Sequence, residues 1–262
     1  MNAGHFNACR TLHTGVEMST DAAPGITGTA TTGTATTGTA TTGTGTPVSH
    51  PTLQTFRLDD LAVYTAEGAF GPTASPDFRM FYVGRDDVHG VLMHLFTRVT
   101  LSVKMNMFGY DDDALNAVLL GLVQNPSVMV HVTLDKTQAS CPAESAILKS
   151  DVASDSAGFA NDFVIGTSAT DQISHTKGGV LDGIVAFEGS TNWSSSGEGT
   201  GIILDATKQA SGFKAQNNTL SVYVNAYEIA KFSARLDYEH AVAAAQRQPD
   251  LTAAGAPAAS AA

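Results

Sequence analysis

Across residues 50–248 the apolar positions change period several times, and each change marks an element. Residues 99–107 read Val-Thr-Leu-Ser-Val-Lys-Met-Asn-Met, apolar at every second position, which predicts a strand with one buried face. Asp111, Asp112 and Asp113 then open a helix whose apolar stripe is Leu115, Val118, Leu119 and Leu122. Asn125-Pro126 ends that helix, and residues 128–134 return as a strand. This strand–helix–strand order predicts a parallel pair joined by a right-handed crossover. Upstream, Asp86 or Asp87 caps a helix carrying Val88, Leu92, Leu95 and Phe96. Downstream, residues 220–224 read as a strand, and a helix from about Ala226 turns Ile229, Phe232 and Leu236 inward. The expected class is therefore α/β.

Residues 175–192 interrupt this scaffold with chemistry. They run His-Thr-Lys-Gly-Gly-Val-Leu-Asp-Gly-Ile-Val-Ala-Phe-Glu-Gly-Ser-Thr-Asn, or H-x-K-x4-D-x6-G-S-x-N. Six fixed positions at this spacing recur by chance in roughly a few chains per million. Ile173, His175 and Lys177 share a parity, so an extended chain points them to one side; Glu188, Ser190 and Asn192 share another. Asp182-Gly183 reads as the tight turn of a hairpin that brings the two sets together. An imidazole, an ammonium, a hydroxyl and a carboxamide then form an anion site. Fixed donors of this kind stabilise the charge that gathers on phosphoryl oxygens during displacement. An imidazole of ordinary pKa about 6.5 is available near neutrality both as a nucleophile and as an acid. For a solitary histidine the competing explanation is a satisfied core side chain; the accompanying positions argue against it.

The spacing resembles the HKD signature of the phospholipase D superfamily. The resemblance implies a mixed β-sheet flanked by helices on both faces, one repeat per chain, and phosphodiester hydrolysis through a phosphohistidine without metal or other cofactor. It implies catalytic roles for His175, Lys177, Asn192, Asp182 and Ser190. Lys177, Asn192 and Ser190 would hold the phosphate, and Asp182 would be mainly a turn residue. Such sites use two histidines, one as nucleophile and one as general acid. No other histidine here has the signature around it, so a homodimer is expected to supply the second His175. The chain departs from the family at Gln216-Asn217-Asn218-Thr219-Leu220, where a carboxylate commonly orients the nucleophile. Glu188 or Asn218 is expected in that role; failing both, the alternative is a weak or inactive phosphate-binding module. The substrate stays open between a phospholipid and a nucleic acid.

Composition bounds the rest. Residues 1–49 carry a Gly/Thr/Ala repeat with almost nothing to bury and are expected to be a disordered leader; an adhesive spacer and a start at Met18 are the alternatives. The catalytic domain is expected at 50–248 and a flexible Ala/Pro tail at 249–262. Cys9 and Cys141 offer neither a disulfide framework nor a metal cluster. No apolar run is long enough for a membrane span, and no secretory leader is evident, so a cytoplasmic location is expected. The formal net charge is -11, from 14 basic and 25 acidic residues, with no basic cluster to track a polyanion. Two Lys177 side chains in a dimer cleft would still make that cleft locally positive. Trp193, in a Gly/Ser-rich segment, either stacks on a ligand as part of a flap or packs on the sheet; packing is the commoner fate.

Overall fold

In the computed structural model the described residues are 56–138, 162–200 and 215–246. The leader, the tail, Cys9 and Cys141 lie outside them. A seven-stranded sheet runs in the order β1-β9-β7-β6-β2-β4-β5. Its strands are β1 (Phe78–Tyr82), β2 (Ser102–Met107), β4 (Met129–Asp135), β5 (Asp162–Gly166), β6 (Lys177–Leu181), β7 (Val185–Gly189) and β9 (Thr219–Tyr223). Pairing is parallel for β2–β4 and β4–β5 and antiparallel elsewhere, so the sheet is mixed. A separate short parallel bridge joins β3 (Tyr110–Asp111) to β8 (Trp193–Ser194).

The expected caps form. Asp87 is the N-cap of α1 (Val88–Phe96), its carboxylate accepting from the Gly90 amide at 2.8 Å. Asp86 instead accepts from the Tyr82 and Ala66 amides. Asp112 caps α2 (Asp113–Val123) by accepting from the Leu115 amide at 2.7 Å. Asn225 accepts from the first amides of α4 (Ala226–Gln246); a short α3 (Ser195–Glu198) follows the signature. Each such cap satisfies helix-end donors and is worth about 1 kcal/mol.

Alternation along β2 assigns the helices to opposite faces. Val103, Met105 and Met107 are buried in the main core with Leu92, Leu95 and Phe96 of α1 and Leu115 and Leu119 of α2. The intervening Lys104 and Asn106 reach the other side, where Lys104 bonds Ser233 and Asp237, and Asn106 bonds Glu239, all on α4. A second cluster, with Val180 and Ala186 beneath Ile229, Phe232 and Leu236, fills that face. The mixed sheet flanked by helices on both faces is as expected. The strand read over residues 99–107 begins only at Ser102, because the amides of Thr100, Leu101 and Ser102 are committed to the Asp182 carboxylate.

β1, β5, the two-residue strands β3 and β8, the short α3 and a 3-10 helix (Leu58–Tyr64) have no counterpart in the sequence pattern. In β1 the exposed residues are Phe78, Met80 and Tyr82, while Arg79 is buried. Arg79 is tolerated there because its guanidinium pairs with Asp59 at 2.7 Å and lies over the Phe70 ring.

Candidate functional site

The signature folds as the expected hairpin. β6 and β7 pair with Leu181 opposite Val185, and the connection places Asp182 at φ 52° and Gly183 at φ 69°. Both values are left-handed, a conformation that Gly adopts freely and Asp tolerates. Asp182 earns its place twice: its carboxylate also accepts from the amides of Thr100, Leu101 and Ser102 and from the Thr100 hydroxyl. It therefore bolts the hairpin to the start of β2, at the end of β6 opposite Lys177.

Lys177 is the first residue of β6 and pairs with Met107 of β2. Its side chain is only 5% exposed. The ammonium donates to the His175 carbonyl at 2.9 Å and stands 5.0 Å from the Phe108 ring centre. Among the described residues it has no carboxylate at ion-pair distance. Burial disfavours its charge and brings its pKa down to about 8, with Asp135 opposing the change.

His175 precedes the strand and is exposed, its ring edge-on to Phe108 at 4.8 Å. Burial and then the Lys177 charge lower its pKa, Asp135 acting the other way. The neutral imidazole is thus favoured at neutral pH. Ile173, His175 and Lys177 line one open cleft of about 590 Å³, as their shared parity predicts, although the chain becomes a strand only at Lys177. Glu188, Arg235 and Glu239 also line it.

Both neighbours of His175 are fastened. The Ser174 amide donates to Asp135, a fully buried carboxylate at the end of β4, and the Ser174 hydroxyl bonds Asn106. Thr176 donates to Glu239 at 3.1 Å, and Glu239 also accepts from Asn106 and from Arg235. Phe108, Asp135, Asn106 and Glu239 were not singled out by the sequence. Asn106 takes an ordinary polar slot in the alternation of β2, so nothing in its spacing marks it.

The second half of the signature lies beside this cleft. The Ser190 hydroxyl donates to Asn218 at 3.1 Å and accepts from the Thr219 amide, which holds the end of β7 against β9. Asn218 also donates to the Gly197 carbonyl and to Gln216. Among the described residues it makes no hydrogen bond to His175. Glu188 is exposed, with its pKa raised by desolvation and by Glu239, and it has no hydrogen bond to His175 among the described residues. Asn192 is part-buried against Gly109, where a Cβ would come within 2.9 Å of its Cγ. Its Oδ1 is buried and, among the described residues, has no hydrogen-bond partner. Because Gly109 touches Asn192 while Phe108 touches His175 and Lys177, the Phe108–Gly109 step ties the two halves together.

Trp193 is not part of a flap. It is fully buried, 4.9 Å from the Phe96 ring and 5.2 Å from Tyr110, and its amide donates to the Gly109 carbonyl. Among the described residues no helix is long and apolar enough to cross a membrane.

No family model matches the chain, and no curated protein matches it. Among solved structures it is similar to Nuc, a phospholipase D family member from Salmonella typhimurium, at 15% identity over 62% of this chain and 92% of that one, with a TM-score of 0.45. It is similar to NucT from Helicobacter pylori at 15% identity over 62% and 94% of the two chains, TM-score 0.45. A phosphatidylserine synthase from Haemophilus influenzae Rd KW20 shares 11% identity over 62% of this chain and 38% of that one, TM-score 0.44.

Proposed function

We propose that the chain is a phosphodiester hydrolase of the phospholipase D type, working as a homodimer without a metal at phosphorus. The neutral His175 imidazole attacks phosphorus and the bond to the leaving oxygen breaks, giving a phosphohistidine. His175 of a second copy, protonated, gives its proton to that oxygen. The same imidazole then takes a proton from water, whose oxygen displaces the histidine and releases the phosphomonoester. Lys177, Asn192 and Ser190 serve the nonbridging oxygens, and Asp182 holds the hairpin.

The observation that supports this best is the exposed, neutral-leaning imidazole of His175 beside the buried ammonium of Lys177 in an open cleft. A cation kept out of water without a carboxylate partner is poised to receive an anion. The test is hydrolysis of bis(p-nitrophenyl) phosphate in EDTA. Turnover is expected in the wild type and its loss in His175→Ala; turnover retained by that variant would remove His175 from the mechanism. Supercoiled plasmid, single-stranded DNA and phosphatidylcholine vesicles, given to the same preparation, distinguish nucleic acid from phospholipid as substrate.

A second reading is a phosphate-binding module with little turnover. It draws on the position of Glu188 and Asn218, neither of which bonds the His175 ring. Trapping a phosphohistidine after one turnover would dispose of it.

A further inference from the structure

Behind the signature, three elements bring one ligand atom each to a common point. His89 comes from α1, Asp112 is the N-cap of α2, and Glu198 ends α3. His89 Nδ1 lies 2.7 Å from Glu198 Oε2 and 3.5 Å from Asp112 Oδ2. The three atoms are all within 4.8 Å of one another. Asp112 uses its other oxygen, Oδ1, for the Leu115 amide, while Oδ2 also accepts from the Thr200 hydroxyl at 3.4 Å. Glu198 is fully buried, and among the described residues its Oε1 has no hydrogen-bond partner.

We propose that His89, Asp112 and Glu198 form a structural site for a divalent transition-metal ion, with Zn2+ the best match. Two carboxylates face one imidazole, which supplies at most one positive charge. A divalent ion held by His89 Nδ1, Asp112 Oδ2 and Glu198 Oε2, with a neutral His89, would balance both acids and give a charged partner to the carboxylate whose other oxygen is idle. Mixed nitrogen and oxygen ligands suit Zn2+, whereas Ca2+ and Mg2+ take oxygen sets of six or more. Three protein ligands leave a fourth position for water, and His89, at 17% exposure, leaves a path for it. Ligands at about 2.0–2.1 Å around a tetrahedral ion are spaced about 3.3 Å apart. The His89–Asp112 separation fits that spacing, and the His89–Glu198 pair opens by about half an ångström.

The site lies where it stiffens the signature without touching phosphorus. Asp112 directly follows β3, which pairs with β8 (Trp193–Ser194) immediately after Asn192. Ser194 caps α3, whose last residue is Glu198. An ion there fixes both sides of the bridge that carries Asn192.

The test is equilibrium dialysis of the EDTA-stripped full chain against Zn2+, with bound metal counted by mass spectrometry and Co2+ substitution read by its visible absorption. One ion per chain is expected, together with a higher melting temperature. Glu198→Gln and His89→Gln are each expected to weaken binding by more than about a hundredfold, since even supporting residues around a metal cost about 10–100-fold when lost. Circular dichroism establishes that each variant is folded, and should Glu198→Gln fail to fold, His89→Gln decides. Absence of saturable binding in the wild type, or equal binding in a folded variant, overturns the site and leaves a hydrogen-bonded imidazolium–carboxylate pair. Neither result bears on hydrolysis at His175, which is measured in EDTA.

Discussion

Replacing Lys177 by Met should make the protein more stable and less active at once. The side chain is 5% exposed, and its pKa falls from 10.5 to about 8. That fall corresponds to about 3 kcal/mol by which the folded state disfavours the ammonium at neutral pH. Met keeps the buried stem and removes the charge. The substitution also forfeits the hydrogen bond to the His175 carbonyl and the contact with Phe108, together about 1–2 kcal/mol. A net gain of about 1–2 kcal/mol remains, equivalent to a rise of about 3–6 °C in melting temperature for a domain of this size. The dependence on pH is the sharper test. Lys177 has a lowered pKa in the folded state, so between about 8 and 10.5 the unfolded chain binds more protons. Wild-type stability therefore gains from this group as pH rises through that window, and the advantage of the variant shrinks. Urea titrations of both proteins at pH 7 and pH 9.5, with phosphodiester turnover measured in parallel, would show it. A variant less stable than wild type at pH 7, or a gap unchanged by pH, would refute the assignment of Lys177 as a buried, unpaired ammonium.

Three further outcomes follow from the site. Turnover should pass through a maximum, rising as the attacking His175 loses its proton and falling as the second copy's His175, the general acid, loses its own, with a further loss above about 8 as Lys177 deprotonates; in Lys177→Arg, whose charge persists, that last loss should disappear. Asp182→Asn can keep the left-handed turn but not the carboxylate that accepts three amides, so denaturant titration should show a loss of about 2–4 kcal/mol while the kinetics of the folded fraction stay near wild type. Glu239→Gln should loosen Thr176 and Asn106 and lower kcat about 10-fold with a smaller change in KM and an altered pH profile, as expected of a positioning residue.

Short-range order was legible because its causes lie within a few residues. The caps at Asp87 and Asp112, the Asp182-Gly183 turn, the alternation of β2 and the stripe of α4 each follow from a period or a hydrogen bond of local span. β1 was hidden because Arg79 is buried there beside Phe81 while Phe78, Met80 and Tyr82 are exposed, an arrangement made possible by Asp59 and Phe70 from elsewhere in the chain. Asp135 and Ser174 are 39 positions apart, and Thr176 and Glu239 are 63 apart, so their meeting depends on strand order and on where α4 crosses the sheet. The amino-acid order by itself determined which groups are present around His175 and the hairpin that carries them. Tertiary packing alone decided that Lys177 is dry, that Ser190 binds Asn218, and that Asp135 and Glu239 brace the histidine, because desolvation and long-range hydrogen bonds exist only once the sheet has closed.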